Sequence, residues 1–502
     1  MSEAIPGIGW TPPPARIREA ASILLVREGS EGRRIFWMRR GTRLSFGPGT
    51  YAFPGGKVDA ADAKVPVDGA REEDRPFVVA AIREAFEEVG ILLAEGAERL
   101  GAEERARMRQ ALAEGTPFGE LLARHGLRLD ARRLIDVGRW CTPPFSPIRF
   151  DTRFFLTVLP DELPAYANGE EVGAAGWIEP ARALVMWERG EALLHPPTHH
   201  ALAALAGFPP EKAVGILRAP PYVDAEQVVH RIEFQRGIHI FPLRTQTLPP
   251  HTHTNCVVVG TGELLAIDPG PTDPAERDRI FHALREMEAE GRRVVAVALT
   301  HHHGDHAGGA ADLAARLGVP LWASAPVADK VPGVSRRLED GEVLELAGPL
   351  PMRLRCVRTD GHADGHLCFF EERSRAVIAG DMVAEGTTIV LDPPEGRLDL
   401  YLASLRRLLD LGPGALYPAH GFPIPDGPAC LERYIAHREA RLEAVAKALA
   451  GGRPLTLAEV VQTVYSDTPS FLHAVAERSA LASLLELERR GRARRAAEGW
   501  TA

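Results

Sequence analysis

Short apolar runs alternate with amphipathic stretches over most of the chain, and this pattern predicts strands and helices in turn. A strand-like run covers Ala21 to Val26, and a helical pattern covers Pro76 to Val89, with Gly90 placed to end it. A β-branched run, Val294 to Leu299, predicts a buried strand in the second half. Toward the C-terminus helical patterns dominate, and Thr456 is predicted to cap one of these helices. We therefore expect an α/β protein.

Length and proline placement predict how the chain divides. Its 502 residues exceed the usual size of one domain, so two or three domains are expected. Proline-rich segments at residues 207–210 and 219–221 interrupt the alternation, because proline ends helices and is excluded from central strands. The predicted domains are residues 1–210, 211–430 and 431–502.

The composition of the chain argues against several classes of protein, among them membrane-spanning and secreted proteins. Hydrophobic residues make up 45% and charged residues 25%, as in folded soluble proteins, and no apolar run is long enough to span a membrane. The five cysteines are scattered, which favours free thiols, and the N-terminal segment lacks the features of a secretory signal. We therefore expect a cytoplasmic protein with no membrane partner. The net charge of −9 disfavours a protein whose whole surface binds nucleic acid.

Three glutamates share one face of the predicted helix in the first half. Glu84, Glu87 and Glu88 stand at positions i, i+3 and i+4, so their carboxylates lie side by side. Like charges in this arrangement repel one another, and Mg²⁺ or Mn²⁺ would neutralise them. Such a cation can polarise a diphosphate for attack by water. For Glu87 and Glu88 alone, a solvated acidic helix face is the alternative interpretation.

The surrounding residues make this helix resemble the Nudix box. The turn Phe53 to Asp59 and the run Arg83 to Ile91 match its two halves. Asp62 stands where the family usually has glutamate, and an insertion of about thirteen residues precedes the helix. Further segments resemble the branch that includes peroxisomal coenzyme A diphosphatases: residues 39–42, 45–49, 149–155 and 196–198.

The Nudix resemblance implies a fold and a site. It implies an α/β/α sandwich over roughly residues 15–207. Glu84, Glu87 and Glu88 would then be metal ligands, and we assign Glu84 as the base. Glu170 or Glu171 would supply a distal carboxylate.

Four metal-binding donors directly follow the β-branched run of the second half. They are His301, His303, Asp305 and His306, within six positions of one another. Imidazole together with carboxylate suits Zn²⁺, and also Fe or Mn. A chance run of surface histidines is the alternative, and four donors followed by small residues argue against it. His302 lies outside the ligand pattern.

Three later segments supply His362, Asp381 and His420. In this order and spacing, the segments resemble those of the metallo-β-lactamase superfamily, which implies an αββα sandwich with two metal ions. The resemblance assigns one ion to His301, His303 and His362, the other to Asp305, His306 and His420, with Asp381 bridging both. Asp305 is also assigned a catalytic role.

Four further residues lie near these motifs. Asp268 matches a common position of the superfamily and is expected to support the loop rather than to bind metal, and His366 is expected close to the ligands. His251 and His253 are open to two interpretations, a loop near the site or a contact with substrate.

The C-terminal segment resembles the winged-helix tail of the β-lactamase-like protein 2 group, which includes single-strand endoribonucleases. Five of the seven residues from Arg489 to Arg495 are arginine, a composition suited to phosphate contacts. A lid or docking domain with a solvated basic turn is the interpretation we favour, so RNA is an alternative partner rather than the expected one.

These features together predict a bifunctional metal-dependent hydrolase. The Nudix domain would cleave a diphosphate linked to another moiety, such as coenzyme A or acyl-coenzyme A. The second domain would hydrolyse an ester, thioester or phosphodiester with a hydroxide activated by two metal ions. The expected partners are thus small-molecule diphosphates and thioesters. The alternatives are an endoribonuclease acting on single strands and a Nudix domain that only senses a nucleotide.

Overall fold

The computed structural model describes residues 15–30, 32–41, 47–160, 172–225 and 227–502. Contacts divide the chain into two compact units, of which the first ends at Gln235 and the second begins at Arg236. Each unit has its own sheets and hydrophobic cores, as expected for a chain of this length.

The first unit alternates strands and helices. Its strands are β1 (Ile17–Gly29), β2 (Gly32–Arg40), β3 (Tyr51–Ala52), β4 (Gly55–Lys57), β5 (Val67–Asp68), β6 (Leu129–Asp130), β7 (Ile135–Cys141), β8 (Arg149–Leu159), β9 (Val172–Ile178) and β10 (Ile232–Gln235). Its helices are α1 (Arg75–Val89), α2 (Ala102–Ala113), α3 (Phe118–Arg124), α4 (Pro180–Glu188), α5 (Pro196–Gly207) and α6 (Pro210–Leu217).

The strand β1 is buried on both faces of the central sheet. The sheet has the order β3-β2-β1-β8-β7, with β4 added on β1 and β9 on β2, and β1 runs parallel to β8. Ile23 and Leu25 lie in the core formed with α1, whereas Leu24 and Val26 lie in the core formed with α4 and α5. A strand covered on both faces has no polar side, which explains its continuous apolar run. This arrangement confirms the predicted α/β/α sandwich.

The predicted glutamate helix is α1, and it begins one residue earlier than expected, at Arg75. Gly90 ends it in the left-handed conformation, with φ of 72°. The inserted residues before the helix are folded, because β5 within them pairs in parallel with β6. The insertion therefore leaves the helical phase of the glutamates unchanged.

The first compact unit extends beyond the predicted boundary at residue 210. The helix α6 follows that position, and its Ala213 and Leu217 are buried in the same core as Leu202 and Leu205 of α5. A proline at the start of a helix is well tolerated, so Pro210 begins α6 instead of marking a linker.

The second unit contains two larger sheets and a helical C-terminal part. Its strands are β11 (Ile238–Arg244), β12 (His253–Val259), β13 (Glu263–Ile267), β14 (Arg293–Ala298), β15 (Leu321–Ser324), β16 (Val334–Leu338), β17 (Val343–Leu346), β18 (Met352–Arg358), β19 (Leu367–Glu371), β20 (Val377–Gly380), β21 (Leu416–Pro418), β22 (Arg494–Ala496) and β23 (Gly499–Thr501). Its helices are α7 (Pro274–Ala289), α8 (Gly304–Ala307), α9 (Ala310–Leu317), α10 (Ala325–Ala328), α11 (Leu398–Asp410), α12 (Gly427–Leu449), α13 (Leu457–Val464) and α14 (His473–Arg489).

Both sheets are covered by helices on one face and buried on the other. The strands β11 to β16 follow one another in the first sheet, and β17 to β21 do so in the second. The first sheet packs on α7 and α9, and the second on α11 and α12. Side chains on the opposite faces, such as Val257 and Phe369, are also buried. These layers confirm the predicted αββα sandwich.

The C-terminal part consists of α12 to α14 and the hairpin β22–β23. Leu442, Val460, Leu484 and Trp500 are buried in the same core as residues of α11. The three helices and the terminal hairpin are the elements of the predicted winged-helix tail. Their shared core fixes α12 to the second sheet.

All five cysteines are buried and have free thiols. Burial raises the pKa of Cys430 to about 11, so this thiol stays protonated at neutral pH.

Among the described residues, no helix combines the length and apolarity that crossing a membrane requires.

We expect the change Thr456→Ala to loosen the first turn of α13. The Thr456 side chain accepts a hydrogen bond from the Glu459 amide at 3.3 Å, and the Glu459 carboxylate accepts one from the Thr456 amide at 2.8 Å. Losing such a cap costs about 1 kcal/mol, so amide exchange in this turn should accelerate about fivefold. The control is Thr463→Ala, because that hydroxyl donates to a carbonyl within α13 and caps nothing. Equal exchange in the two variants would contradict the prediction.

Candidate active sites

The predicted histidine and aspartate residues of the second unit follow four different strands. His301 to His306 follow β14, His362 follows β18, Asp381 follows β20 and His420 follows β21. The structure brings all seven predicted side chains together: six form two groups of three, and Asp381 lies between the groups.

The first group is His301, His303 and His362. The Nδ1 atom of His303 lies 3.0 Å from Nε2 of His301 and 3.1 Å from Nε2 of His362. Burial lowers the pKa of His362 to about 4 and also lowers that of His301. Three neutral imidazoles whose nitrogens face one point match the ligand preference of Zn²⁺.

The second group is Asp305, His306 and His420. The Oδ2 atom of Asp305 lies 3.7 Å from Nε2 of His306 and 3.6 Å from Nε2 of His420. Burial alone would lower the pKa of both histidines, but nearby carboxylates outweigh it and raise both values, that of His306 strongly. This half of the site therefore attracts positive charge.

Asp381 lies between the two groups. Its Oδ1 is 3.3 Å from Nε2 of His420 and 3.5 Å from Nε2 of His306, and its Oδ2 is 3.4 Å from Nε2 of His362. Burial would raise the pKa of this carboxyl, but His420 and His306 lower it well below its usual range. Asp381 is thus an anion that faces both groups, as the bridging assignment expects.

In three of these histidines the Nδ1 atom, which points away from the site, donates a hydrogen bond to an oxygen atom. Nδ1 of His362 donates to the Val390 carbonyl at 3.0 Å, and Nδ1 of His420 donates to the His253 carbonyl at 3.0 Å. Nδ1 of His306 donates to Asp268 at 2.9 Å. These bonds fix the rings and leave each Nε2 atom directed into the site, which is the usual arrangement of metal-ligating histidine.

Asp268 and His366 support the site from behind. Asp268 accepts hydrogen bonds from the Thr300 amide at 2.8 Å and hydroxyl at 2.6 Å, in addition to His306. The Nε2 atom of His366 accepts the Asp381 amide at 3.2 Å. A Cβ on Gly270 would collide with the Asp305 backbone, so glycine is required where the loop after β13 passes behind the ligands.

The donor set fits divalent cations. Nε2 of His306 and Oδ1 of Asp381 are both buried and lie 3.5 Å apart, but neither atom forms a hydrogen bond. Buried polar atoms without partners are costly, and a cation bound between them would satisfy both. The chemistry and convergence of the seven donors therefore agree with the metal binding that the sequence predicts.

The remaining histidines near the site have distinct contacts. The His251 ring stacks on His420 with centroids 5.6 Å apart and lines the adjacent cavity. His253 contributes its carbonyl to His420. His302 pairs instead with Glu395 at 3.3 Å. Sequence analysis did not identify Val390, because any residue has a backbone carbonyl and the residue type therefore does not reveal this contact.

The three glutamates of α1 are distributed over the glycine turn rather than gathered at one point. Glu88 accepts the Gly55 amide at 2.9 Å, and a Cβ on Gly56 would collide with the carboxylate of Glu84. Glu87 is 40% exposed. Among the described residues, these three carboxylates do not form a group with all ligand atoms within 4.8 Å. The turn and the helix are nevertheless in direct contact, as the Nudix box requires.

Arg83 organises the loop beside these glutamates. It contacts Glu84 at 2.7 Å and holds Asp62 through two nitrogens at 3.1 Å. Burial raises the pKa of Glu84 to about 7. Asp62, at the position where the family has glutamate, is buried and also accepts the Asp59 amide at 2.8 Å. Asp62 therefore stabilises the loop that precedes the helix.

Some predicted features lie outside the described residues. These are the distal carboxylates Glu170 and Glu171 and part of the resembling segments, namely residues 42 and 45–46.

The arginines of the C-terminal turn are mostly paired within the chain. Arg489 and Arg490 both contact Glu486, at 2.8 and 2.5 Å. Arg492 contacts Glu443 at 2.5 Å. Pairing with carboxylates reduces the positive potential that a phosphate backbone would meet.

Three family models match consecutive parts of the chain. The NUDT19 Nudix domain matches residues 64–205, the metallo-beta-lactamase superfamily residues 250–420, and the beta-lactamase associated winged helix domain residues 456–500. The glutamates of α1 lie within the first match, and the seven histidine and aspartate donors lie within the second.

Individual relatives match the second half. The lactamase-like protein adaB of Aspergillus niger is 35% identical over 232 residues, which cover 43% of this chain and 69% of that protein. The atrochrysone carboxyl ACP thioesterase of Aspergillus chevalieri is 35% identical over 225 residues, with coverage of 43% and 69%.

Solved structures resemble each half. A metallo-beta-lactamase family protein from Thermus thermophilus is 28% identical, with coverage of 53% of this chain and 97% of that chain and a TM-score of 0.44. A NUDIX hydrolase from Alicyclobacillus acidocaldarius is 32% identical, with coverage of 41% and 99% and a TM-score of 0.38. From the family models and the curated relatives we conclude that this hydrolase belongs to the metallo-beta-lactamase superfamily, as a fusion in which a NUDT19-type Nudix domain precedes the lactamase domain and a winged helix domain follows it.

Proposed function

We propose that the second unit hydrolyses acyl thioesters. The observation that carries this proposal is the convergence of seven metal-binding donors beside a cavity, in a domain with a relative named as a thioesterase. In the reaction, the oxygen of water bonds to the acyl carbon, the carbon–sulfur bond breaks, and the thiol leaves with a proton.

We assign the ligands as the sequence predicts. His301, His303 and His362 would hold one cation, Asp305, His306 and His420 the other, and Asp381 both. Two bound cations would supply Lewis acidity and an activated water. Asp305 would also take up a proton, a role supported by its Oδ2, which lies 3.7 Å from Nε2 of His306 and 3.6 Å from Nε2 of His420.

We further propose that the Nudix domain cleaves a diphosphate with Mg²⁺ or Mn²⁺ held by Glu84, Glu87 and Glu88. The buried Glu84 beside Gly56 supports its assignment as the base. An acyl-coenzyme A contains both a thioester and a diphosphate, so one substrate class would serve both domains. The paired arginines of the C-terminal turn give no support to the endoribonuclease alternative.

Asp268→Asn is expected to weaken metal binding without unfolding the protein. The amide cannot accept from His306 and Thr300 as the carboxylate does, and losing such a partner typically lowers metal affinity about 10- to 100-fold. The measurement is a competition titration of Zn²⁺ with a chelator. Asp273→Asn, at the exposed start of α7, is the matched control and should bind like the native protein. Unchanged affinity in Asp268→Asn would refute the role assigned to this carboxylate.

Asp305→Asn should reduce thioester hydrolysis at least about 100-fold, because it removes one ligand and the proposed proton acceptor. Release of free thiol from acyl-coenzyme A by the metal-loaded protein measures this activity. Cleavage of the diphosphate should persist in the same variant, because that activity belongs to the first unit, and an unchanged circular dichroism spectrum would show that the second unit is folded. A native protein that releases no thiol from any acyl-coenzyme A would overturn the proposed function of the second unit.

The double change Glu87→Gln and Glu88→Gln should have the reciprocal effect. Diphosphate cleavage should fall at least about 100-fold, since carboxylates that hold a cation are lost, while thiol release stays at the native rate. Product formation from coenzyme A in the presence of Mg²⁺ or Mn²⁺ measures the change. Nucleotide binding that survives this change, in a protein whose native form cleaves no diphosphate, would instead favour a sensor.

A further inference from the structure

A cavity of about 320 Å³ extends from the metal-binding residues to the C-terminal helices. At one end it is lined by His362, Asp381 and His420. The helix α12 contributes Arg438 and Arg441 to the same cavity. Leu472 and Val475, within the winged helix domain, also line the cavity, so this domain supplies part of the surface that a substrate at the metal centre would touch.

Arg438 is a buried cation without a carboxylate partner. Its residue exposure is 6%, its Nη2 donates to the Ile389 carbonyl, and its guanidinium lies 5.3 Å from the ring centroid of Tyr401. Its Nε is buried without a hydrogen-bond partner, and the ion pairs that α12 forms within the described part of the chain involve Glu439, Arg441 and Glu443 but not Arg438.

Arg441 provides a direct contrast on the same helix. It contacts both oxygens of Asp467, at 2.7 and 2.6 Å, so its charge is compensated within the protein. Burying an unpaired charge is unfavourable unless a counter-charge completes it. Arg438 thus has the character of one half of an ion pair, and it lies at the wall of the cavity.

We propose that Arg438 binds a carboxylate at the far end of the acyl group, so that the preferred substrates are thioesters of dicarboxylic acids. This inference rests on the proposed thioesterase function and specifies its substrate class. Apolar side chains also line the cavity, among them Leu248, Leu472 and Val475, and they suit the methylene segment between the two ends of such an acyl group.

The anion is assigned to the acyl group rather than to a phosphate of the carrier. In a coenzyme A or carrier-protein thioester, the whole pantetheine arm separates the sulfur from the nearest phosphate. Arg438 lines the same cavity as the metal ligands His362 and Asp381, so a group that it binds belongs to the part of the substrate next to the thioester rather than to the end of that arm. A carboxylate a few carbons from the thioester carbonyl fits both the charge and the volume.

A purely structural role for Arg438 would have a different signature. Its partner Ile389 precedes Val390, whose carbonyl holds His362. If Arg438 only positioned this segment, its loss would lower metal content and slow all thioesters equally. A carboxylate subsite predicts that metal content stays constant and that only the dicarboxylic substrates are affected.

The test compares two thioesters of equal chain length, glutaryl-coenzyme A and pentanoyl-coenzyme A, with the metal-loaded full-length protein. The native protein should prefer glutaryl-coenzyme A in kcat/KM by about 10- to 100-fold, the value of a charge-assisted hydrogen bond. Arg438→Met should abolish this preference at unchanged metal content. Arg433→Met, which removes an exposed charge from the same helix outside the cavity lining, should retain it.

A binding measurement makes the test independent of turnover. Glutarate should bind the metal-loaded native protein more tightly than its monomethyl ester, and the difference should vanish in Arg438→Met. Because both ligands carry one carboxylate for the metals, the comparison isolates the second one. Equal binding of the two ligands to the native protein overturns the subsite, whether or not any variant folds. Glutarate selectivity without any thioester hydrolysis would support the subsite and refute the thioesterase proposal instead.

Discussion

The buried carboxylate of Asp381 is the group around which the second unit is arranged. An anion removed from water is stable only if positive charge or hydrogen-bond donors surround it. His306, His362 and His420 face its oxygens, and His366 accepts its amide. These partners lie at separate strand ends in both sheets. Because each must contact the Asp381 carboxylate or its amide, this one residue holds the loops that carry them in fixed relative positions.

Both units place their reactive side chains where regular structure meets a glycine-rich loop. In the first unit, a rigid helix packed on the central sheet presents glutamates to the Gly55–Gly56 turn. In the second, Gly270 lets a supporting loop pass behind the ligands of α8. Rigid elements fix the direction of a functional side chain, and glycine permits the close approach of the backbone that completes the site.

Sequence reasoning succeeded where local spacing determines geometry. The donors from His301 to His306 are near one another because six residues cannot separate them far, and the glutamates of α1 share a face because of helical periodicity. The joining of distant His362, Asp381 and His420 followed from resemblance to a family, since spacing alone does not bring them together. The pattern of apolar runs predicted the α/β class and single elements such as β1, whereas the two layered folds followed from the family resemblances.

Other features could not be predicted because they depend on tertiary contacts. The carbonyl of Val390, which fixes His362, has no side-chain signature. The Glu84 carboxylate is positioned by its ion pair with Arg83, and the Glu88 carboxylate is positioned by the hydrogen bond that it accepts from the Gly55 amide. Arg438 did leave a trace, as it follows Tyr434 and precedes Leu442 at four-residue steps on the apolar face of α12. A charge at such a position indicates a buried partner, but the sequence does not show which one.

The two donor groups join loops that are far apart in sequence, from Asp305 to His420. A cation held by such a group acts as a cross-link that exists only in the folded chain, because the unfolded chain does not bring these loops together. Its binding free energy is therefore added to the stability of the unit. The occupancy of the site and the integrity of the two-sheet sandwich are thus one equilibrium, and depletion of metal in the cell would lower the amount of folded protein as well as its activity.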